Sequence, residues 1–316
     1  MRKLLMRENR LSGEEIVNII KGAGLNNAVF NVNTSSLSSI RTGGNALCYF
    51  KADGIMDLKK IIEICIEKKI SFMLIGDCTN VLFNDGYIKT VLIKLGTDFD
   101  YVEFKEDGEI EAGAACNLSK FIIKAAAAGY DFSVLSGIPG TLGGSIAGNS
   151  GSRDTGICDF VKKISYIAES NGKIIEKTVS LDKSNFSYRN LNIPDLIVLT
   201  GVTMSAQKDS ENDILKKIRH KIKTRKLNQP VNARSLGCFF KNVKNYPESA
   251  GELIEKCHLK GFTYGGARVS KKHANFIENF RNASSNDIFV LSKIIKDVVM
   301  EKFGIRLEYE VKLVGF

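Results

Sequence analysis

The sequence contains no apolar run approaching the roughly 20 residues that a membrane-spanning helix needs. The apolar stretch near its start, Leu4-Leu5-Met6, is too short for the core of a secretory signal. A membrane partner is therefore not expected, and the chain reads as cytoplasmic. The seven cysteines (Cys48, Cys65, Cys78, Cys116, Cys158, Cys238 and Cys257) are odd in number and include no Cys-x-x-Cys pair. Neither a disulfide framework nor a zinc site is suggested. Most scattered thiols of this kind are expected to be small buried apolar groups, with Cys238 the one exception. The Walker A phosphate loop is missing, as is the Gly-x-Gly-x-x-Gly fingerprint of a Rossmann unit. There is also no internal repeat, low-complexity tract or long linker.

What remains is an ordinary globular composition. The chain has 316 residues, 44% of them hydrophobic. At roughly 100–200 residues per domain, two or three domains are expected. The formal net charge is +10. The densest basic run, Lys216–Lys226, has no interleaved aromatics on which bases would stack. Nucleic acid is therefore set aside in favour of polyanionic small ligands, whose local concentration a positive cleft raises.

The patterning is mixed. Ser12 and Glu15 form a capping-box signature that opens a short helix. A second helix is expected over about 56–69, with Leu58, Ile61, Ile62 and Cys65 on one face. Phe72–Ile75 and Val91–Leu95 read as short buried strands flanking the polar loop Gly76–Asn80. Leu118–Ala128 is an Ala-rich helix that stops at Gly129. A Gly-rich loop runs from Gly137 to Gly151, and strand-like patterning follows to about Met204, with turns at Asn171-Gly172 and Pro194. Lys216–Lys226 should be a helix at a domain boundary. A helix from about Asn286 to Lys302, with the stripe Ile288, Leu291, Ile295, Val298 and Val299, ends at Gly304. The last segment alternates: Leu307, Tyr309, Val311 and Leu313 on one face, Glu308, Glu310 and Lys312 on the other. Short strands mixed with helices argue for an α+β fold.

The Gly-rich segment Gly137-Ile138-Pro139-Gly140-Thr141-Leu142-Gly143-Gly144-Ser145, then Gly148-Asn149-Ser150-Gly151, is the first sign of chemistry. Glycines let backbone approach a ligand and turn N–H groups toward phosphate oxygens; the same run also reads as a tight turn between strands. Arg41-Thr42-Gly43-Gly44 and Gly76-Asp77-Cys78-Thr79-Asn80 fit a dinucleotide in the same way, and each alone also reads as an ordinary turn. Their order and spacing relative to Gly137–Gly151 carry the weight. His273 reads as structural, since no metal partners stand at ligand spacing around it.

Further matching pieces are Tyr188-Arg189, Arg225 with Gln229-Pro230, Ser235-Leu236-Gly237-Cys238-Phe239-Phe240-Lys241-Asn242, Ala250–Glu255, Lys260-Gly261, Gly265-Gly266-Ala267, Val269–Phe276 and Glu310-Val311. With these, from about residue 38 to the end, the chain resembles the UDP-N-acetylenolpyruvoylglucosamine reductases, a family within the vanillyl-alcohol-oxidase type of FAD-binding proteins. The C-terminal pieces are specific to that family; the Gly-rich ones are shared by the wider superfamily. The resemblance implies a two-lobed FAD-binding domain, residues 1–97 and 98–210, followed by an α+β substrate domain, residues 211–316. It is to the shorter subtype, without a substrate-covering insertion.

The resemblance also implies a reaction: NADPH-dependent, FAD-mediated reduction of UDP-N-acetylglucosamine enolpyruvate to UDP-N-acetylmuramate, for peptidoglycan synthesis. It assigns Arg189 and Glu310 to stabilising the substrate carboxylate as an enolate, and Cys238 to donating the proton. Most relatives have serine at that last position. A thiol of ordinary pKa, about 8.5, is a competent acid at neutral pH. FAD is expected on Arg41, Gly43, Gly44, Gly76, Asp77, Cys78, Thr79, Asn80, Pro139, Gly140, Thr141, Gly143, Gly144, Gly148, Asn149 and Ser150. The UDP-sugar is expected on Tyr188, Arg225, Lys241 and Asn242, and no metal is implied. Asp77 departs from the family pattern, and its carboxylate is unfavourable beside a diphosphate unless it points away. Two rivals stay open: an oxygen-using flavin enzyme of the same superfamily, and a flavin- or nucleic-acid-binding protein with a decayed site. Retention of Arg189, Glu310 and an acidic group at 238 argues against decay. The oligomeric state is left open, with a monomer allowed.

Overall fold

The computed structural model describes residues 11–151, 155–170 and 172–316; Leu4-Leu5-Met6 and Asn171 lie outside them. In chain order the elements are α1 (Gly13–Gly22), β1 (Ala28–Asn33), β2 (Asn45–Ala52), α2 (Ile55–Glu67), β3 (Phe72–Ile75), β4 (Val81–Phe83), β5 (Ile88–Leu95), β6 (Val102–Phe104), β7 (Ile110–Gly113), α3 (Leu118–Ala127), α4 (Leu142–Ala147), β8 (Val161–Ser170), β9 (Lys173–Ser180), β10 (Phe186–Ser187), β11 (Asn190–Leu191), β12 (Leu196–Met204), α5 (Glu211–Asn228), β13 (Ser235–Cys238), α6 (Ala250–Lys256), β14 (Thr263–Tyr264), β15 (Ala267–Val269), β16 (Phe276–Asn279), α7 (Ser285–Phe303) and β17 (Lys312–Val314). The fold is α+β. The chain divides into two compact units. Of the described residues, one unit holds those within Met1–Asn31, Leu47–Gly76 and Lys89–Lys223; the other holds Val32–Ala46, Asp77–Ile88 and Thr224–Phe316. Among the described residues no helix is long and apolar enough to cross a membrane.

The first unit has two hydrophobic cores. In one, a sheet ordered β1-β2-β5-β3, with β3 and β5 parallel, packs against α1 and α2. Ser12 and Glu15 close the expected capping box, which satisfies two N–H groups that a helix start otherwise leaves orphaned. Ile16 and Ile20 of α1 then meet Leu58, Ile61, Ile62 and Cys65 of α2 in that core. The second core lies against the antiparallel sheet β6-β7-β12-β8-β9. There Phe121 and Ile122 of α3, Leu142 and Ile146 of α4, and Ile214 and Ile218 of α5 are buried together. Asn117 caps α3 through its side-chain oxygen, and Gly129 (φ 83°) takes the chain out of it.

The second unit has its own core. An antiparallel sheet ordered β13-β16-β15-β14 packs against α6 and α7, and β17 runs parallel to β4. Ser284 and Asp287 box the start of α7, and Gly304 ends it in the left-handed conformation. Ile288, Leu291, Ile295 and Val299 form the buried stripe; Val298 is only partly buried. Across β15 and β16, Arg268 donates twice to one oxygen of the buried Glu278 (3.2 and 2.6 Å) and stacks 3.7 Å over Phe280.

Three expectations need correction. The alternating C-terminal strand is regular only over Lys312–Val314; before it, Glu310 and Val311 both donate their N–H to the Phe239 carbonyl, so the segment cannot run as a ladder. The Gly-rich loop contains a helix, α4, capped by Thr141. Cys238 is not alone in escaping full burial, because Cys158 and Cys257 are also half-buried.

Candidate functional site

The segment Gly137–Gly151 lies in the first unit and is largely self-satisfied. Leu142 donates to the Cys116 carbonyl, Gly143 to Ala114, and Gly144 to the Thr141 hydroxyl. Those N–H groups are engaged within the protein. Packing alone accounts for some of the glycines: a Cβ on Gly143 would sit 2.8 Å from Ala114 Cβ, and one on Gly76 would sit 2.6 Å from Thr141 Oγ1. The signal for a ligand lies one residue earlier. Ser136 is buried, and its hydroxyl has no hydrogen-bond partner among the described residues. Native proteins seldom leave such a group orphaned, and a polar atom of a bound cofactor would satisfy it. The segment therefore fits FAD, although not by glycine count.

The end of this segment is tied to the hairpin β10–β11, whose tip is Tyr188-Arg189. Asn149 Nδ2 donates to the Ser187 carbonyl at 3.1 Å. The Arg189 guanidinium reaches back with long bonds to the carbonyls of Asn149 and Gly151, both 3.4 Å, and lies 5.0 Å over the exposed Tyr188 ring. The first unit thus brings Tyr188, Arg189, Asn149 and Gly151 together.

The second unit assembles Cys238, Glu310, Asn80 and the Arg41–Gly44 segment. Cys238 ends β13, opposite Phe276. Glu310 donates its backbone N–H to the carbonyl of Phe239, the next residue, at 3.0 Å. Asn80 Nδ2 donates to the Glu310 carbonyl at 3.2 Å. Glu310 is half-buried, unlike the exposed Glu308 and Lys312 beside it; alternation alone would have turned all three to solvent. Ser38 and Ser39 bond the Cys78 carbonyl, which joins the segments around Arg41 and Cys78.

Arg225 is half-buried, and burial disfavours its charged form while the Cys238 sulfur beside it opposes that shift. Its Nε is buried without a partner among the described residues. Lys241 pairs with Glu308 near the surface at 3.3 Å. The Asn242 side-chain oxygen accepts from Ala250 N at 3.0 Å, so it helps fix the start of α6.

Arg41 (φ 60°), Cys78 (47°), Asn149 (40°) and Arg189 (57°) are all left-handed. A non-glycine residue there costs about 1–3 kcal/mol and persists only where its surroundings over-determine it. Sequence reading missed Ser136, Asp85 and Asn279. Asp85 accepts from Ser285 N and Asn286 N at the start of α7, and its own carbonyl would lie 2.2 Å from a Cβ on Gly44. No local pattern distinguishes these residues from ordinary turn or strand positions.

No metal-binding cluster is present among the described residues. His273 packs its ring against Phe276, and its Nδ1 accepts from Asn275 N. Burial, reinforced by Lys260, lowers its pKa below the ordinary histidine value. As the pH falls, the unfolded chain takes up this proton before the native one. The stabilisation is therefore full above about pH 6.5 and is lost below it. The thermal midpoint of the protein should fall between about pH 7.5 and 5.5, and His273→Gln should flatten part of that fall. An unchanged slope in the variant would exclude His273 as its source.

A family model for an FAD binding domain matches residues 46–178. A model for the C-terminal domain of UDP-N-acetylenolpyruvoylglucosamine reductase matches residues 229–314. The UDP-N-acetylenolpyruvoylglucosamine reductase of Wolbachia sp. subsp. Drosophila simulans (strain wRi) is 32% identical over 90% of this chain and 95% of its own length. That of Rickettsia typhi is 35% identical over 90% and 94%. Among solved structures, the enzyme of the same name from Thermus caldophilus is similar with a TM-score of 0.76 and 26% identity, covering 90% of this chain and 97% of that one.

Proposed function

The chain belongs to the UDP-N-acetylenolpyruvoylglucosamine reductase family, an FAD-dependent group of oxidoreductases, and from that premise we propose that it reduces UDP-N-acetylglucosamine enolpyruvate to UDP-N-acetylmuramate, with NADPH as reductant, for cytoplasmic synthesis of peptidoglycan precursor. FAD, when bound, supplies the hydride, which it takes from NADPH. The protein's part begins after that. Hydride on the terminal methylene carbon of the enolpyruvyl group drives the double-bond electrons toward the carboxylate, and an enolate forms. Arg189 stabilises it, because a planar guanidinium can fork onto a carboxylate; Glu310 is its companion. Cys238 then gives its proton to the carbon next to the carboxylate. Tyr188, Arg225, Lys241 and Asn242 grip the UDP-sugar. FAD is held by Arg41–Gly44, Gly76–Asn80 and Gly137–Ser150. The segments 1–97, 98–210 and 211–316 act as two cofactor lobes and a substrate domain, a reading supported by three hydrophobic cores, each drawn mostly, though not wholly, from one of these segments.

One observation carries the assignment of the acid: the Glu310 backbone is hydrogen-bonded to Phe239, directly beside Cys238. The purified protein should be yellow, with flavin bands in its visible spectrum, or should become so on adding FAD. It should oxidise NADPH only when the enolpyruvyl sugar is present, without consuming oxygen. Oxygen uptake matching NADPH loss would identify an oxidase instead. A colourless protein that cannot be reconstituted would end the proposal.

A further inference from the structure

The buried amide of Asn279, at the end of β16, holds both peptide groups that flank Arg41. Its Nδ2 donates to the Ile40 carbonyl at 3.0 Å and to the Arg41 carbonyl at 3.4 Å. Its Oδ1 accepts from Ala283 N at 2.7 Å, and its own N–H donates to the Arg234 carbonyl at 2.9 Å. The residue is 8% exposed, so the loss of any of these bonds would leave a buried polar group unsatisfied.

The two carbonyls on either side of one Cα define that residue's φ and ψ. A single donor shared between them therefore fixes the backbone of Arg41, which stands in the left-handed region at φ 60°. An arginine has no intrinsic reason to stay there. The rest of the segment is clamped around this point. Arg41 Nη1 donates to the Ser36 carbonyl at 3.0 Å, the Thr42 hydroxyl meets that of Ser285 at 2.9 Å, and Gly44 donates to the Asn84 carbonyl at 2.8 Å. All these residues belong to the second unit, and Arg41–Gly44 lies before the residues that match the FAD-binding family model.

We infer that Asn279 is a positioning residue for the flavin: by setting the left-handed backbone of Arg41, it aims the Arg41–Gly44 segment at the cofactor. The inference rests on the proposal that this segment holds FAD. A strand of the C-terminal sheet, remote in sequence from the cofactor segments, thereby governs cofactor affinity.

Asn279→Asp tests this, since it keeps the size and the acceptor but replaces the bridging donor with a carboxylate facing two carbonyls. FAD titration of the apoprotein, followed by flavin fluorescence, should give a Kd raised roughly 10-fold or more, as expected when about two buried hydrogen bonds that shape the site are lost. Arg41→Ala should also weaken binding. The double variant of Asn279→Asp with Arg41→Gly should lose less than the product of the two single losses, because glycine takes the left-handed backbone without a clamp. Leu291→Ala, in the core of the same unit, should lower the melting temperature yet leave the Kd within about 2-fold, because it does not touch the segment. If Asn279→Asp does not fold by circular dichroism, Asn279→Ala, which removes the donor together with the acceptor, takes its place. Wild-type affinity in the Asn279 variant, or losses that multiply in the double variant, would overturn the inference while leaving the FAD reading intact. A wild-type protein that binds no FAD would instead remove that reading, and this inference with it.

Discussion

Cys238→Ala should bind FAD and accept electrons from NADPH at wild-type rates, yet return them to the enolpyruvyl sugar roughly 10²-fold more slowly or worse, the usual size of a general-acid contribution. Neither of the first two steps needs the thiol. The last one does, because the enolate is quenched only when a proton reaches the carbon next to the carboxylate. Cys238→Ser should recover much of the loss, since a hydroxyl would refill the position. A thiol-directed alkylating agent should inhibit the wild type, and substrate should protect. Five of the other cysteines compete poorly in that experiment. Burial pushes the Cys48 thiol up to about 12 and Cys116 up to about 11, and raises Cys65 as well. Cys158 and Cys257 are raised by the same cause, although they are only half-buried. Since the thiolate is the nucleophile, label mapped by mass spectrometry should concentrate on Cys238. The decisive measurement is stopped-flow oxidation of the reduced enzyme by the UDP-enolpyruvyl sugar. An alanine variant as fast as the wild type would return Cys238 to the ranks of small apolar core residues.

The elements that could be read from the sequence are those whose signals are local. Ser12 with Glu15, and the stripe from Ile288 to Val299 closed by Gly304, are stated within one or two turns of chain, and the structure follows them. What escaped depends on partners far away in sequence. β4 is only three residues long and owes its strand character to β17, some 230 positions later. The extended run before β17 is broken because two successive N–H groups converge on the Phe239 carbonyl, which no pattern in residues 307–313 announces. In the Gly-rich segment, packing accounts for part of the glycine count that the sequence reading took as a sign of a ligand. Gly143 answers to Ala114 and Gly144 to Thr141 rather than to a ligand, while the unpaired hydroxyl of Ser136 looks like any serine before a turn. Asn279 and Asp85 were invisible for the same reason: their work is done on Arg41 and Gly44 and on the start of α7, and only the folded chain brings them there.

Arg189→Lys should lose 10²-fold or more in turnover, the order seen when one preorganised donor to a developing oxyanion is removed, although it conserves charge. The hairpin tip makes this a clean substitution. Arg189 occupies a left-handed position in which lysine is strained to the same degree, so the backbone term cancels and the head group alone changes. The Tyr188 ring, 5.0 Å beneath the guanidinium, can receive an ammonium as well. What the reaction loses is the fork. A lysine presents a compact point charge that cannot donate two parallel hydrogen bonds to a carboxylate. The contacts that Arg189 makes to the Asn149 and Gly151 carbonyls are long, at 3.4 Å, so giving them up costs little folding free energy. The melting temperature and FAD content should therefore hold while turnover falls. The fall should appear in kcat, because the interaction strengthens as charge builds up on the carboxylate. Turnover near the wild-type value would show that the enolate is stabilised elsewhere. A rise in KM with kcat preserved would assign Arg189 to substrate binding alone.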